Sequence, residues 1–114
     1  MRSLYGTFGR ELLYQMKDGD ANYILTDEPH AEKARKVCDE LKFTDKVRLV
    51  LGEAPGFISV SGFALLEEKN FREVAVPDPR QELVGLIYTS GTTGLPKGVE
   101  VSHYSFVANL VQNA

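Results

Sequence analysis

The segment from Tyr88 to Val99 gathers the residue types that hold polyphosphates. It carries Gly91, Gly94 and Gly98, the hydroxyls of Thr89, Ser90, Thr92 and Thr93, and the amine of Lys97. Glycines let a backbone approach an anion closely and adopt positive φ. Successive N–H groups in such a turn form a concave anion nest. Hydroxyls donate to phosphate oxygens, and a lysine adds a mobile positive charge. An ordinary hairpin turn needs one or two special residues, and this run exceeds that need.

Two common phosphate loops do not fit. The Walker pattern needs G-x-x-x-x-G-K-[ST] between a strand and a helix. Here Pro96 precedes Lys97 and Gly98 follows it. The dinucleotide pattern G-x-G-x-x-G fails because the glycines stand at 91, 94 and 98. The flanks point to strands instead. Leu83 to Tyr88 is a short apolar run, and Val99-Glu100-Val101-Ser102 alternates apolar and polar. The loop therefore links two strands, and Pro96 suits a turn. No helix start is offered to an anion here, so nest, hydroxyls and Lys97 must do the binding.

The elements that must position this loop are legible upstream and downstream. Phe8 to Lys17 reads as a helix with Phe8, Leu12 and Met16 on one face, ended by Asp18-Gly19-Asp20. Tyr23 to Thr26 reads as a strand. Asp27 caps a second helix with Pro29 in its first turn, running to about Lys42 with Ala34, Val37, Cys38 and Leu41 inward. Val47 to Leu51 is the next strand, so strand, helix and strand form a βαβ unit with a parallel pair. Gly52 to Gly56 is a loop, and Phe57 to Leu66 carries a short strand and a turn of helix. Asn70 to Glu82, with Pro77 and Pro79, reads as an exposed connection. After the loop, Ser102 caps a last helix whose apolar face is Phe106, Val107, Leu110 and Val111. The class is α/β: a parallel βαβ unit plus a strand–Gly-rich loop–strand hairpin. Loops at strand ends are where such sheets bind ligands.

The wording Thr-Ser-Gly-Thr-Thr-Gly-Leu-Pro-Lys-Gly resembles the phosphate-loop signature of the adenylate-forming, AMP-binding enzymes. These are the acyl-CoA synthetases, coumarate–CoA ligases, beetle luciferases and peptide-synthetase adenylation domains. The coumarate–CoA ligase and luciferase branch is most similar. Ser102 to Leu110 resembles the segment after that loop in the family. Leu4 to Leu12, Gln15 to Asp18 and Tyr23 to Thr26 resemble its upstream region, so the match covers nearly the whole chain.

The resemblance implies that residues 1–114 are part of the large N-terminal domain of an AMP-dependent synthetase or ligase, with the phosphate loop at 88–99. It implies a chain that stops short of the adenine and ribose site, the acyl pocket and the C-terminal lysine region. In such enzymes a carboxylic acid attacks the α-phosphate of ATP, which arrives with Mg2+, and pyrophosphate leaves. The acyl-adenylate then passes to a thiol, usually that of coenzyme A. Carried over, Thr89, Ser90, Gly91, Thr92, Thr93 and Gly94 grip the β- and γ-phosphates. Lys97 neutralises the leaving pyrophosphate, the one catalytic role assigned. The partners implied are a small carboxylic acid and the remainder of the domain. Catalysis by the 114 residues alone is not expected, and the alternative reading is a non-catalytic product with at most weak nucleotide binding.

Bulk properties narrow the field. A length of 114 residues suits one small domain, and 43% hydrophobic content reads as globular. A net charge of −3 supplies no basic field for nucleic acid. No apolar run is long enough for a membrane span, and Met1 to Gly6 lacks the apolar core of a signal peptide. One cysteine, Cys38, makes no internal disulfide. The expected compartment is intracellular, either cytoplasm or peroxisome.

Other residues have plainer readings. His103 is a structural or capping histidine before it is a base, His30 is solvated surface, and Cys38 is a buried thiol. Asp18-Gly19-Asp20 is a turn, since a calcium loop needs further oxygen ligands. No His/Cys cluster has zinc spacing, and no metal ligand is assigned.

Overall fold

The computed structural model of the chain describes residues 6–44, 47–89 and 94–114. The chain forms two compact units, Met1–Phe71 and Arg72–Ala114, and its class is the α/β expected.

The first unit runs α1 (Gly6–Asp18), β1 (Ile24–Asp27), α2 (Glu28–Glu40), β2 (Arg48–Leu51) and β3 (Ile58–Ser59). Two short 3-10 turns follow, at Val60–Leu65 and Glu68–Asn70. The three strands form one parallel sheet in the order β1-β2-β3. Ile24 stands opposite Arg48, and Leu49 opposite Ile58. The βαβ unit read from the sequence is therefore present, extended by one more parallel strand.

Both helices stop for the same physical reason. At the end of α1, Ala21 N–H donates to the Met16 carbonyl at 2.9 Å and Asp20 N–H to that of Lys17 at 3.2 Å. At the end of α2, Phe43 N–H donates to the Cys38 carbonyl at 2.8 Å and Lys42 N–H to that of Asp39 at 3.1 Å. Asp20 (φ 49°) and Lys42 (φ 57°) occupy the left-handed region that this helix ending requires. The apolar residues on either side of each turn, Met16 with Ala21 and Cys38 with Phe43, belong to or pack against the core. The sequence reading extended α2 to about Lys42. It stops at Glu40 because Lys42 reverses the chain so that Phe43 can return to the core.

The start of α2 follows its sequence. Asp27 Oδ1 accepts from His30 N–H at 3.2 Å, and Pro29 sits in the first turn. Ala31, Ala34, Val37 and Cys38 are buried along one face. With Met16 and Ile24, the last three form the core, and Leu12, Leu13, Leu41 and Phe57 lean on it. The side chain of Phe8, read as part of the α1 face, lies outside the described residues.

One core-facing position is charged. Arg48 is buried in β2, where strand alternation puts it on the same face as buried Val50. Its guanidinium donates to Asp39 Oδ1 at 2.7 Å and to the Phe43 carbonyl at 2.5 Å. The sequence reading placed the strand and missed this inward charge.

The second unit is simpler. β4 (Leu83–Thr89) pairs antiparallel with β5 (Lys97–Ser102), and α3 (His103–Gln112) follows without a linker. Ser102 caps α3 by accepting from Ser105 N–H at 3.2 Å, as its position suggested. Phe106, Val107, Leu110 and Val111 are all about half exposed or more, so the apolar face of α3 is uncovered. Among the described residues no helix is long and apolar enough to cross a membrane.

Candidate functional site

The hairpin ladder reaches deeper into the glycine-rich segment than its sequence suggested. Tyr88 and Thr89 finish β4, and Lys97, Gly98 and Val99 begin β5. Thr89 and Lys97 are directly opposed as the last pair before the turn. The Thr89 hydroxyl approaches the Lys97 carbonyl at 3.5 Å. The residues between the two strands are thereby 90–96, of which 94–96 are described. The pairing fixes the backbones of Thr89 and Lys97, two of the residues singled out from the sequence, at neighbouring positions on the rim.

Gly94 has φ 97°, a left-handed conformation that a side chain resists. That is the backbone freedom the sequence reading attributed to a glycine of the loop. Ser90, Gly91, Thr92 and Thr93 lie outside the described residues. Gly98 is glycine for a different reason. A Cβ there would stand 3.2 Å from Tyr88 Cζ, because the Tyr88 ring lies across the facing strand at its register partner.

The first turn of α3 is already engaged. His103 N–H donates to the Glu82 carbonyl at 3.1 Å, Tyr104 N–H to the Pro79 carbonyl at 2.8 Å, and Ser105 N–H to the Ser102 hydroxyl. A helix start with its N–H groups so occupied has few left for an anion. His103 thereby has a backbone role at the helix start. The segment around Pro79 therefore straps α3 to the base of β4. Asp78 Oδ1 accepts from Arg80 N–H at 3.0 Å to shape the strap, and the Arg80 guanidinium lies 3.9 Å above the Tyr104 ring. The sequence reading had this stretch as an exposed connection. Asp78-Pro79 was a usable turn signal, but its target on α3 was not visible.

The remaining singled-out residues belong to the first unit. Cys38 is fully buried, and burial pushes its thiol pKa up, opposed by nearby Arg48 and helped by Asp39. His30 Nδ1 lies 2.5 Å from Asp27 Oδ1, at half-exposed side chains, and this hydrogen bond holds the Asp27 carboxyl below its ordinary range. Among the described residues no cluster of His, Cys, Asp and Glu could hold a metal ion.

The model of a family described as AMP-binding enzyme matches residues 5–114. Acyl-CoA synthetase 7 of Caenorhabditis elegans is 35% identical over 98 residues, 84% of this chain and 18% of that protein. 4-Coumarate–CoA ligase 2 of Nicotiana tabacum is 33% identical over 105 residues, 90% of this chain and 18% of that protein. Among solved structures, the luciferase-like enzyme of the nonluminescent Zophobas morio mealworm superposes with a TM-score of 0.75. It is 22% identical and is matched over 92% of this chain and 24% of its own, which is a likeness of fold. The chain spans about 18% of the length of the curated relatives it matches.

Proposed function

This chain belongs to the AMP-binding enzyme family, and from that premise we propose that its 88–99 hairpin loop is the ATP-phosphate grip of an acid–CoA ligase. Residues 1–114 then act as part of the family's large N-terminal domain. Thr89, Ser90, Gly91, Thr92, Thr93 and Gly94 hold the β- and γ-phosphates of ATP through backbone N–H groups and hydroxyls. Lys97 neutralises charge on the departing pyrophosphate. A carboxylic acid is the second substrate and coenzyme A the acceptor. Magnesium travelling with the nucleotide shares the phosphate charge. Pre-placed donors around a leaving anion stabilise the transition state without reorganising when the bond breaks.

The observation that supports this reading is the pairing of Thr89 with Lys97 at the facing ends of β4 and β5, with left-handed Gly94 in the sequence between them. It sets a hydroxyl residue and a cationic residue at the two ends of the glycine-rich segment. The test is a transplant. Residues 83–102 replace their counterpart in the Nicotiana tabacum relative, and ATP–pyrophosphate exchange is measured. Exchange within about tenfold of the unaltered ligase is expected. A folded chimera without exchange would refute the loop assignment.

A second reading is favoured by the uncovered apolar face of α3, with Phe106 and Leu110 about half exposed. On that reading the 114-residue chain binds nucleotide weakly and turns nothing over. Titration of the chain alone with MgATP separates the two. Tight, saturable, magnesium-dependent binding would count against the second reading.

A further inference from the structure

Among the described residues, burial does little to fix the register of the β4–β5 hairpin. Register is strongly set when one face of a ribbon is buried, because a one-residue slip turns the apolar set outward. Here Leu83, Val84, Leu86, Ile87 and Val99 are all more than 40% exposed, so burial does not select one alignment. Glycine weakens the specification further, and the ladder contains both Gly85 and Gly98. An irregularity between Leu83 and Gly85 breaks the pairing near its base. Two apolar side chains of the ladder are partly buried, Val101 toward its base and Tyr88 at its open end. Tyr88 is partly buried while its neighbours Leu86, Ile87 and Thr89 are exposed. Its ring covers Gly98, its cross-strand partner, closely enough that a Cβ at residue 98 would meet Cζ at 3.2 Å and Cε1 at 3.4 Å.

We infer that the Tyr88 ring seated on Gly98 is the register lock of this hairpin, and that both are positioning residues for Lys97. An aromatic ring laid over a cross-strand glycine replaces the packing that glycine lacks and pins the pair. The lock is adjacent to the Thr89–Lys97 pair. A slip of one residue would set Tyr88 against a side chain at 97 or 99. It would also carry Lys97 to the opposite face of the ribbon. This inference rests on the phosphate-grip reading for its functional consequence and on geometry alone for the lock.

The experiment uses the full 114-residue chain as wild type, Tyr88→Phe, Tyr88→Leu and Gly98→Ala. NMR reads the ring-current shift of the Gly98 α-protons and the cross-strand contacts of Thr89 with Lys97. Methyl signals of Val37 and Val50 report that the first unit is folded. MgATP is then titrated. Tyr88→Phe should keep the shift and the contacts. Tyr88→Leu and Gly98→Ala should lose both and weaken any MgATP response by roughly tenfold or more, the cost of misplacing a binding group. Survival of the Thr89–Lys97 contacts in both disruptive variants would overturn the lock, whatever the nucleotide does. A wild-type chain with the contacts but no response to MgATP would instead count against the phosphate reading and leave the lock supported.

Discussion

Glu28, the first residue of α2, accepts a hydrogen bond from the Glu53 amide at 2.7 Å, and its carboxylate fills the space beside Gly52. Two residues 25 apart in sequence are thereby tied at the point where β2 ends. Gly52 has φ 98°, and a Cβ there would collide with Glu28 Oε1. Glycine at 52 adopts the left-handed φ of this turn and leaves room for the Glu28 carboxylate.

Gly52→Ala should therefore destabilise the chain by about 1–3 kcal/mol, through unfavourable φ and through loss of the Glu28–Glu53 hydrogen bond. Urea unfolding measures it. Glu28→Ala should cost less, since it leaves the backbone unstrained. A Gly52→Ala midpoint equal to wild type would contradict this account of the turn.

Lys42 is a non-glycine residue in the left-handed region at the end of α2. Lys42→Gly should stabilise the chain by about 0.5–1 kcal/mol, because the position already favours glycine. The sign is the check, since glycine inside α2 would do the reverse.

Arg48 and Asp39 should both be costly to truncate, for different reasons. Arg48→Ala removes the donor of the Phe43 carbonyl, but the half-exposed Asp39 left behind can rehydrate. Asp39→Ala leaves the buried guanidinium without its counter-charge, and each change should cost about 2–4 kcal/mol. A loss below about 1 kcal/mol from Asp39→Ala would show that the anchored carbonyl, and not the ion pair, dominates.

Acid should weaken the first unit through two carboxyls. The His30 hydrogen bond holds Asp27 below its ordinary 3.8, with burial acting in the opposite direction. The Arg35 hydrogen bonds hold Glu32 below 4.5, again against burial. A carboxyl depressed on folding contributes stability above its unfolded pKa and loses it as pH falls through the folded value. The unfolding midpoint should thus drop as pH falls from about 5 to about 3. The Asp27→Asn, Glu32→Gln double variant should show a shallower slope, since an asparagine side chain at the first of these positions still caps α2 without titrating. An unchanged slope would place the acid sensitivity elsewhere.

Thr92→Val and Lys97→Ala, made in the transplanted hairpin, should slow ATP–pyrophosphate exchange by roughly 10²-fold each while leaving the unfolding free energy within about 0.5 kcal/mol of the parent. Unchanged exchange in both would remove the roles proposed for them.

The sequence by itself determined the parts that depend on neighbouring residues. Asp27 and Ser102 announced their helix starts because a short acceptor side chain satisfies N–H groups three residues on. The apolar spacing of Ala34, Val37 and Cys38 announced a buried face. The glycine, hydroxyl and lysine run carried the family resemblance because its residue types stand together in the sequence, and the family match over residues 5–114 bears that resemblance out. Only the tertiary structure decided what depends on chain segments brought together. Arg48 turns inward because Asp39 and the Phe43 carbonyl await it. Pro79 and Glu82 occupy the start of α3 through backbone carbonyls, which carry no residue signature. Tyr88 and Gly98 gain their meaning only as register partners. Hydrogen bonds to backbone and contacts across strands are set by register and packing, and a linear reading has no access to either until the chain has folded.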